Sequence, residues 1–224
     1  MQSGADASRG PGNLGDGYLQ TMGILSRIRA ALRGGVEEQL PDGGDEELHE
    51  VRGFTVIVRN TRPDIQTSVV LARLDEALAL IERYQPWRLA HMRRDIAAFL
   101  VARFPCRGAF FPETRVCMTE LTFLARTDIT PAPVASSILH EGMHARAHAM
   151  GVRPDRDMAH EERICRRAEL NFGLVLPTEL GAPVLERARA SLDLDDSDVA
   201  PSIDWNEAQR RQDAVDAAAR RGDA

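Results

Sequence analysis

The chain contains no lysine; all 28 of its basic residues are arginine. So complete an exclusion points to a GC-rich genome rather than to 28 separate needs for a guanidinium. Pairs such as Arg93-Arg94 and Arg166-Arg167 are therefore read as solvated helix faces. Cysteine is also sparse. Cys106, Cys117 and Cys165 are three, an odd number, which points to reduced thiols and a cytoplasmic home. No run of 18 apolar residues exists, so no transmembrane helix is expected. Residues 1–17 lack the basic start and apolar stretch of a signal peptide. An excess of positive charge is missing too: the net charge is −6, and bulk electrostatics gives no reason to expect a nucleic-acid partner. There is no internal repeat, no phosphate-cradling glycine loop, and no serine or cysteine nucleophile motif. What remains is a chain of 224 residues, enough for one ordinary domain with tails.

The pattern that is present lies at residues 140–144, His-Glu-Gly-Met-His, the H-E-x-x-H arrangement of zinc-dependent hydrolases. On a helix, positions i and i+4 are about 40° apart around the axis and roughly 6 Å along it. His140 and His144 can therefore hold one ion between them, with Glu141 beside them as a general base. Chance alone would produce this spacing in about 1 chain in 100 of this composition, so the context has to decide. The segment Pro133–Met150 has no internal proline after its start and stops at Gly151, a natural residue after a helix C-cap. Leu139, Met143 and Met150 form an apolar stripe. Gly142, Ala145 and Ala149 form a small-residue surface that lets another helix approach closely. The two histidines lie on neither.

A catalytic zinc needs a third protein ligand and an open position. His148 lies roughly 12 Å along the helix from His140, too far to share the ion. The next helical stretch, Ala159–Gly173, offers glutamates instead. Glu162, Cys165 and Glu169 share one strip of it, and Glu161 lies about 100° away, centred on the apolar stripe. Helix geometry leaves both Glu161 and Glu162 open as the third ligand, with Glu169 placed to orient a histidine or arginine.

H-E-x-x-H followed by a downstream helical glutamate resembles the gluzincin-type zinc metallopeptidases. More closely, H-E-G-M-H-A-R with E-R-I-C-R-R-A-E is similar to small bacterial zincin-like proteins, over roughly Arg115–Gly173. The resemblance implies Zn²⁺ as cofactor and a metal set of His140, His144 and Glu162. In those relatives the ligand is the glutamate three residues before the cysteine; Glu161 is kept as the rival. It implies a peptide or protein substrate, with Glu141 catalytic. Large gluzincins also carry a Tyr, His or Arg that stabilises the oxyanion. Tyr18 and Tyr84, the only tyrosines, are remote in sequence, which leaves His148, His160 and Arg146 as candidates.

The expected fold is α+β, a compact zincin-like core that is mostly helical with a small antiparallel hairpin before the metal helix. Residues 1–50 read as disordered and linker, with a short amphipathic helix over 18–33. Residues 51–192 read as one domain, and 193–224 as an acidic and then Arg/Ala-rich tail. Within the domain, Val51–Asn60 reads as a strand, and Asp64–Tyr84 and Pro86–Arg103 as helices. Cys106–Phe111 and Arg115–Leu124 read as a hairpin whose second strand borders the cleft. A last helix is expected over Pro183–Leu192, with Pro183 near its first turn. Two further readings stand beside hydrolysis: a binding or regulatory zincin with a structural or weakly active zinc, and a metal-free helical interaction protein.

Overall fold

A computed structural model describes residues 46–152, 158–199 and 204–221. The expected amphipathic helix over 18–33 lies outside the described residues. The architecture is a five-stranded mixed sheet with helices, among the described residues β1 (Glu46–Val51), β2 (Phe54–Arg59), α1 (Thr67–Tyr84), α2 (Pro86–Asp95), β3 (Ala98–Ala102), β4 (Gly108–Phe111), β5 (Val116–Glu120), α3 (Leu121–Ala125), α4 (Pro131–Ala149), α5 (Met158–Val175), α6 (Thr178–Leu192), α7 (Asp196–Val199) and α8 (Trp205–Arg221). Helix and sheet are mixed, as expected. The sheet is larger than a hairpin, however, and its order is β1-β2-β3-β5-β4. Its two outer pairs are antiparallel, while β2–β3 and β3–β5 are parallel.

Several elements differ from the sequence reading for identifiable reasons. The expected single strand over Val51–Asn60 is a turn and a strand. Arg52 and Gly53 both have positive φ, 50° and 77°, and close a two-residue hairpin between β1 and β2. Arg52 is held in this unusual conformation by α1: its guanidinium donates to Glu82 at 2.7 Å and to the Asp75 carbonyl at 3.1 Å. The first strand, with the sequence EELHEV, lies before the expected domain start at 51, inside what reads as an acidic linker. A charged strand is what an outer sheet position demands. The expected helix over Pro86–Arg103 stops at Asp95, and Ala98–Ala102 is instead the central strand β3, with every residue buried. The helix expected over Pro183–Leu192 starts at Thr178, so Pro183 lies inside α6 rather than near its first turn, and α7 and α8 follow it.

One face of the sheet, through Val56, Val58, Phe99, Val101 and Cys117, packs against Leu74, Leu78, Ile81, Leu89 and Ile138 of the helices. Ile57, Leu100 and Met118 form a separate cluster on the opposite side. The helix bearing the histidines runs against this core and ends in a Schellman motif: Val152 N–H reaches Ala147 O at 3.0 Å and Gly151 N–H reaches His148 O at 2.9 Å. Gly151 supplies the required positive φ of 75°. The predicted close approach at Gly142 is made by α2, since a Cβ there would lie 2.9 Å from Met92 Cγ. None of the described helices is long and apolar enough to cross a membrane.

Candidate metal centre

His140 and His144 project from α4 toward α5, and their Nε2 atoms are 3.2 Å apart. The Glu162 carboxylate spans them, with Oε2 3.3 Å from His140 Nε2 and Oε1 3.2 Å from His144 Nε2. The outer nitrogens are also engaged. His140 Nδ1 donates to Glu169 at 2.7 Å, and His144 Nδ1 donates to Glu161 at 2.7 Å. A carboxylate accepts only, so each ring carries a proton on Nδ1, which leaves Nε2 as the nitrogen that would turn a lone pair toward a metal. Glu161 and Glu162, adjacent in sequence and both candidates for the same place, therefore occupy different ones. Glu162 faces the inner nitrogens, and Glu161 the outer side of one ring.

Donor chemistry and spacing fit a small divalent ion. Two donors at about 2.0–2.1 Å from a tetrahedral zinc are separated by about 3.3 Å. The two Nε2 atoms are 3.2 Å apart, and the Glu162 carboxylate sets one oxygen against each, Oε1 3.2 Å from His144 and Oε2 3.3 Å from His140. A further donor stands close by: Cys165 Sγ is 3.7 Å from His144 Nε2, and His140, His144 and Cys165 converge closely enough to share an ion. Sequence reading placed Cys165 on the Glu162 strip but gave it no role.

The electrostatics favour positive charge at this point. Burial alone would lower the pKa of His140, but hydrogen bonds to Glu162 and Glu169 and the charge of Glu141 outweigh it, pushing the group up to about 10. His144 is driven up in the same way, against its own burial, by Cys165, Glu161 and Glu162. Glu169 is 1% exposed, yet His140, Arg166 and Arg187 overcome its burial and bring it down to about 2. Ser136 donates to it at 2.8 Å and Arg166 at 2.7 Å, so both its oxygens are committed.

Glu141 follows His140 and lines the same cleft, whose volume is about 490 Å³. Burial pushes its pKa up from the ordinary carboxylate value, with the two imidazoles opposing. Its carboxylate rests on the edge strand: a Cβ on Gly108 would lie 3.0 Å from Glu141 Oε1 and 3.1 Å from its Cγ. The strand beside the cleft is thus β4. The expected one, Arg115–Leu124, is instead β5, which lies between β3 and β4 with all five residues buried, and its last residues turn into α3. The chain runs out to the edge first and returns inside it.

Of the oxyanion candidates, His148 lines the cleft, with its ring 6.0 Å from that of Phe110. Arg146 points away, to Asp95 of α2 at 3.5 Å. His160 is not among the lining residues. Arg107, Arg166 and Arg187 do line it. Of these, Arg166 reads from sequence as part of a solvated helix face, Arg107 lies well before the motif, and Arg187 comes from α6, which carries no motif. A scan of protein-family models, a search of curated proteins and a search of solved structures find no match for this chain.

Proposed function

We propose that this protein is a zinc-dependent hydrolase, a metallopeptidase of zincin-like architecture in which His140, His144 and Glu162 hold the metal. The observation that carries the reading is the convergence of the two Nε2 atoms, 3.2 Å apart, with the two oxygens of Glu162 at 3.2 and 3.3 Å from them, backed on the outer side by Glu161 and Glu169. The H-E-x-x-H helix beside an edge strand, with a glutamate helix alongside, supports the zincin-like assignment of the fold. Three cysteines without a disulfide accord with a reducing, cytoplasmic setting.

Zinc bound here would lower the pKa of a water to near 7 and polarise a substrate carbonyl. The side chains do the rest. Glu161 and Glu169 fix the rings so that Nε2 stays available. Glu141, buried against Gly108, takes the proton of the attacking water and returns it to the leaving amine. Burial raises its pKa, which makes it a stronger base toward that water than an exposed carboxylate. The edge of β4 offers unpaired backbone groups to an extended peptide.

The test is metal content and peptide hydrolysis on protein without a histidine tag. The wild type is expected to hold one zinc and cleave members of a peptide library. Glu141→Gln should keep the zinc and lose cleavage, and His140→Ala should lose both. A Glu141→Gln protein with full activity sinks the base assignment; absence of zinc from the wild type sinks the whole reading.

A second reading rests on Cys165. A thiolate at about 2.3 Å from zinc and an imidazole nitrogen at about 2.0 Å are separated by about 3.6 Å in a tetrahedron, close to the 3.7 Å between Cys165 Sγ and His144 Nε2. The charge of Arg88 also acts on this cysteine. With Cys165 as a fourth ligand the site closes, and the protein becomes a binding or regulatory one with structural zinc. Cobalt substitution separates the two: an intense near-ultraviolet thiolate band, lost in Cys165→Ser, indicates the closed site, and its absence the open one.

A further inference from the structure

Three guanidinium groups stand in the cleft, beside Glu141, Glu161 and Glu162. Arg107 comes from the residue before β4, Arg166 from α5 and Arg187 from α6, and all three line the cleft. Glu169 is the counter-charge that Arg166 and Arg187 share. That carboxylate already accepts from His140, Ser136 and Arg166. Arg187 reaches it only at 3.9 Å, and its Nη1 is buried without a hydrogen-bond partner among the described residues. Nε of Arg166 is buried and unpartnered in the same sense. The exposed Arg107 stacks on Phe123, 5.2 Å from the ring centroid, which occupies its face and leaves its edge free. A buried guanidinium without a hydrogen bond is costly, and two or three neighbouring cations add mutual repulsion.

We infer that Arg187 and Arg107 form an anion subsite of the cleft that receives a carboxylate of the peptide substrate, from an Asp or Glu side chain or from the peptide's C-terminus. This rests on the hydrolase reading of the adjacent centre. A carboxylate is favoured by the planar fork of the Arg187 guanidinium, whose Nη1 lacks a hydrogen-bond partner among the described residues; such a fork matches two carboxylate oxygens. The surroundings suit a peptide: Phe110, Val152, Met158 and Val199 supply an apolar lining beside the cations. The charges facing Arg187 are Glu169 and Glu141, which favour its cationic form, and Arg166 and Arg107, which oppose it. Burial and the two arginines depress its pKa, so a bound carboxylate removes a strain that the protein's own carboxylates leave in place.

The experiment uses the full chain as Glu141→Gln, zinc-loaded and immobilised, so that peptides are held and not cut. An equimolar mixture of eight-residue peptides is passed over it in three forms: free acid, C-terminal amide, and amide with Asp and Glu replaced by Asn and Gln. Mass spectrometry reads what is retained. Carboxylate-bearing forms should be enriched about tenfold or more over the neutral form, the loss expected for one charge-assisted pair. The amide arm tells which source supplies the carboxylate. Adding Arg187→Gln should cut the enrichment to near unity, Arg187→Lys should restore part of it, and Arg107→Gln, at an exposed position, should reduce it without affecting folding. Equal retention of all three forms, no retention, or an enrichment untouched by Arg187→Gln overturns the subsite. The zinc content of the same protein keeps the two ideas apart. Zinc without acid preference overturns the subsite alone, and acid preference in protein that takes up no zinc overturns the hydrolase alone.

Discussion

At the scale of single residues, the arrangement depends on what stands behind the reactive groups. Glu169 is buried at 1% exposure with His140, Ser136 and Arg166 on its two oxygens. Replacing it by Gln keeps the shape but removes the charge that fixes the His140 tautomer. The expected result is a metal affinity about 10–100-fold weaker, measured by competition with a chromophoric chelator, with the fold intact by circular dichroism. Unchanged affinity would mean that Glu169 serves only packing. Gly108 is the complementary case. The space a side chain would need there is taken by Glu141 Oε1 at 3.0 Å and by Ser137 Oγ at 3.3 Å. Gly108→Ala should push the Glu141 carboxylate out of line while leaving the histidines alone. Peptide hydrolysis should therefore fall about 10–100-fold with zinc stoichiometry unchanged. An alanine variant of full activity would show that the carboxylate has room to shift without consequence.

At the scale of elements, α4 is held from two sides, by α5 across the histidines and by α2 across Gly142. The second contact ends in Asp95, the last residue of α2, which is 3% exposed and paired with Arg94 at 2.8 Å and Arg146 at 3.5 Å. Burial would raise the pKa of Asp95, but Arg94, Arg146 and His91 outweigh it, so the group titrates below its ordinary 3.8. A folded-state pKa lower than the unfolded one gives stability that is present above about pH 4 and lost as the pH falls through the lowered value. Asp95→Asn should cost about 1 kcal/mol or more at pH 7, and the gap between variant and wild type should narrow as the pH falls below about 4, as read by urea denaturation. A gap independent of pH would assign the loss to packing. How far these elements can be read from the chain varies with how they meet the core. α4 is legible because its end is marked by Gly151 and its faces by residue size, although it starts at Pro131, two residues before the expected Pro133; the β4–β5 hairpin is marked by Pro112-Glu113-Thr114. β3 is not legible. Ala98–Ala102 is buried on both faces and shows no alternation, and Trp87, Met92, Ile96 and Phe99 happen to continue at helical spacing through it. The glutamates were narrowed to two by helix geometry. Only the rotation of α5 against α4 distinguishes Glu162 at the inner nitrogens from Glu161 at the outer one, and no local pattern encodes it.

At the scale of the whole molecule, the C-terminal segment is part of the domain. Residues 193–224 read from composition as a tail, because Arg/Ala-rich sequence has almost no apolar stripe. Yet α8 docks through charge. Asp216, 4% exposed, accepts from Arg103 Nε at 2.9 and 3.0 Å and from Arg62 at 3.2 Å. Arg103 also pairs with Glu120, whose other oxygen caps α3 by accepting from Phe123 N at 2.7 Å. A chain of buried ions thus runs from α8 past the end of β3 to the turn after β5. Removing one member leaves its partners' charge uncompensated, which costs far more than the intact pair contributes. Asp216→Ala should therefore destabilise the protein by about 3 kcal/mol in urea denaturation, since Arg103 keeps Glu120 and Arg62 keeps Asp64. The same variant should expose α8 to limited proteolysis before the rest of the chain. Zinc stoichiometry should not change, because the network touches none of His140, His144, Glu161, Glu162 or Glu169. A loss below 0.5 kcal/mol, on the order of an exposed ion pair, would mean that α8 is held by something other than Asp216. A loss of zinc in a folded Asp216→Ala protein would mean that the two ends of the molecule are coupled through the sheet.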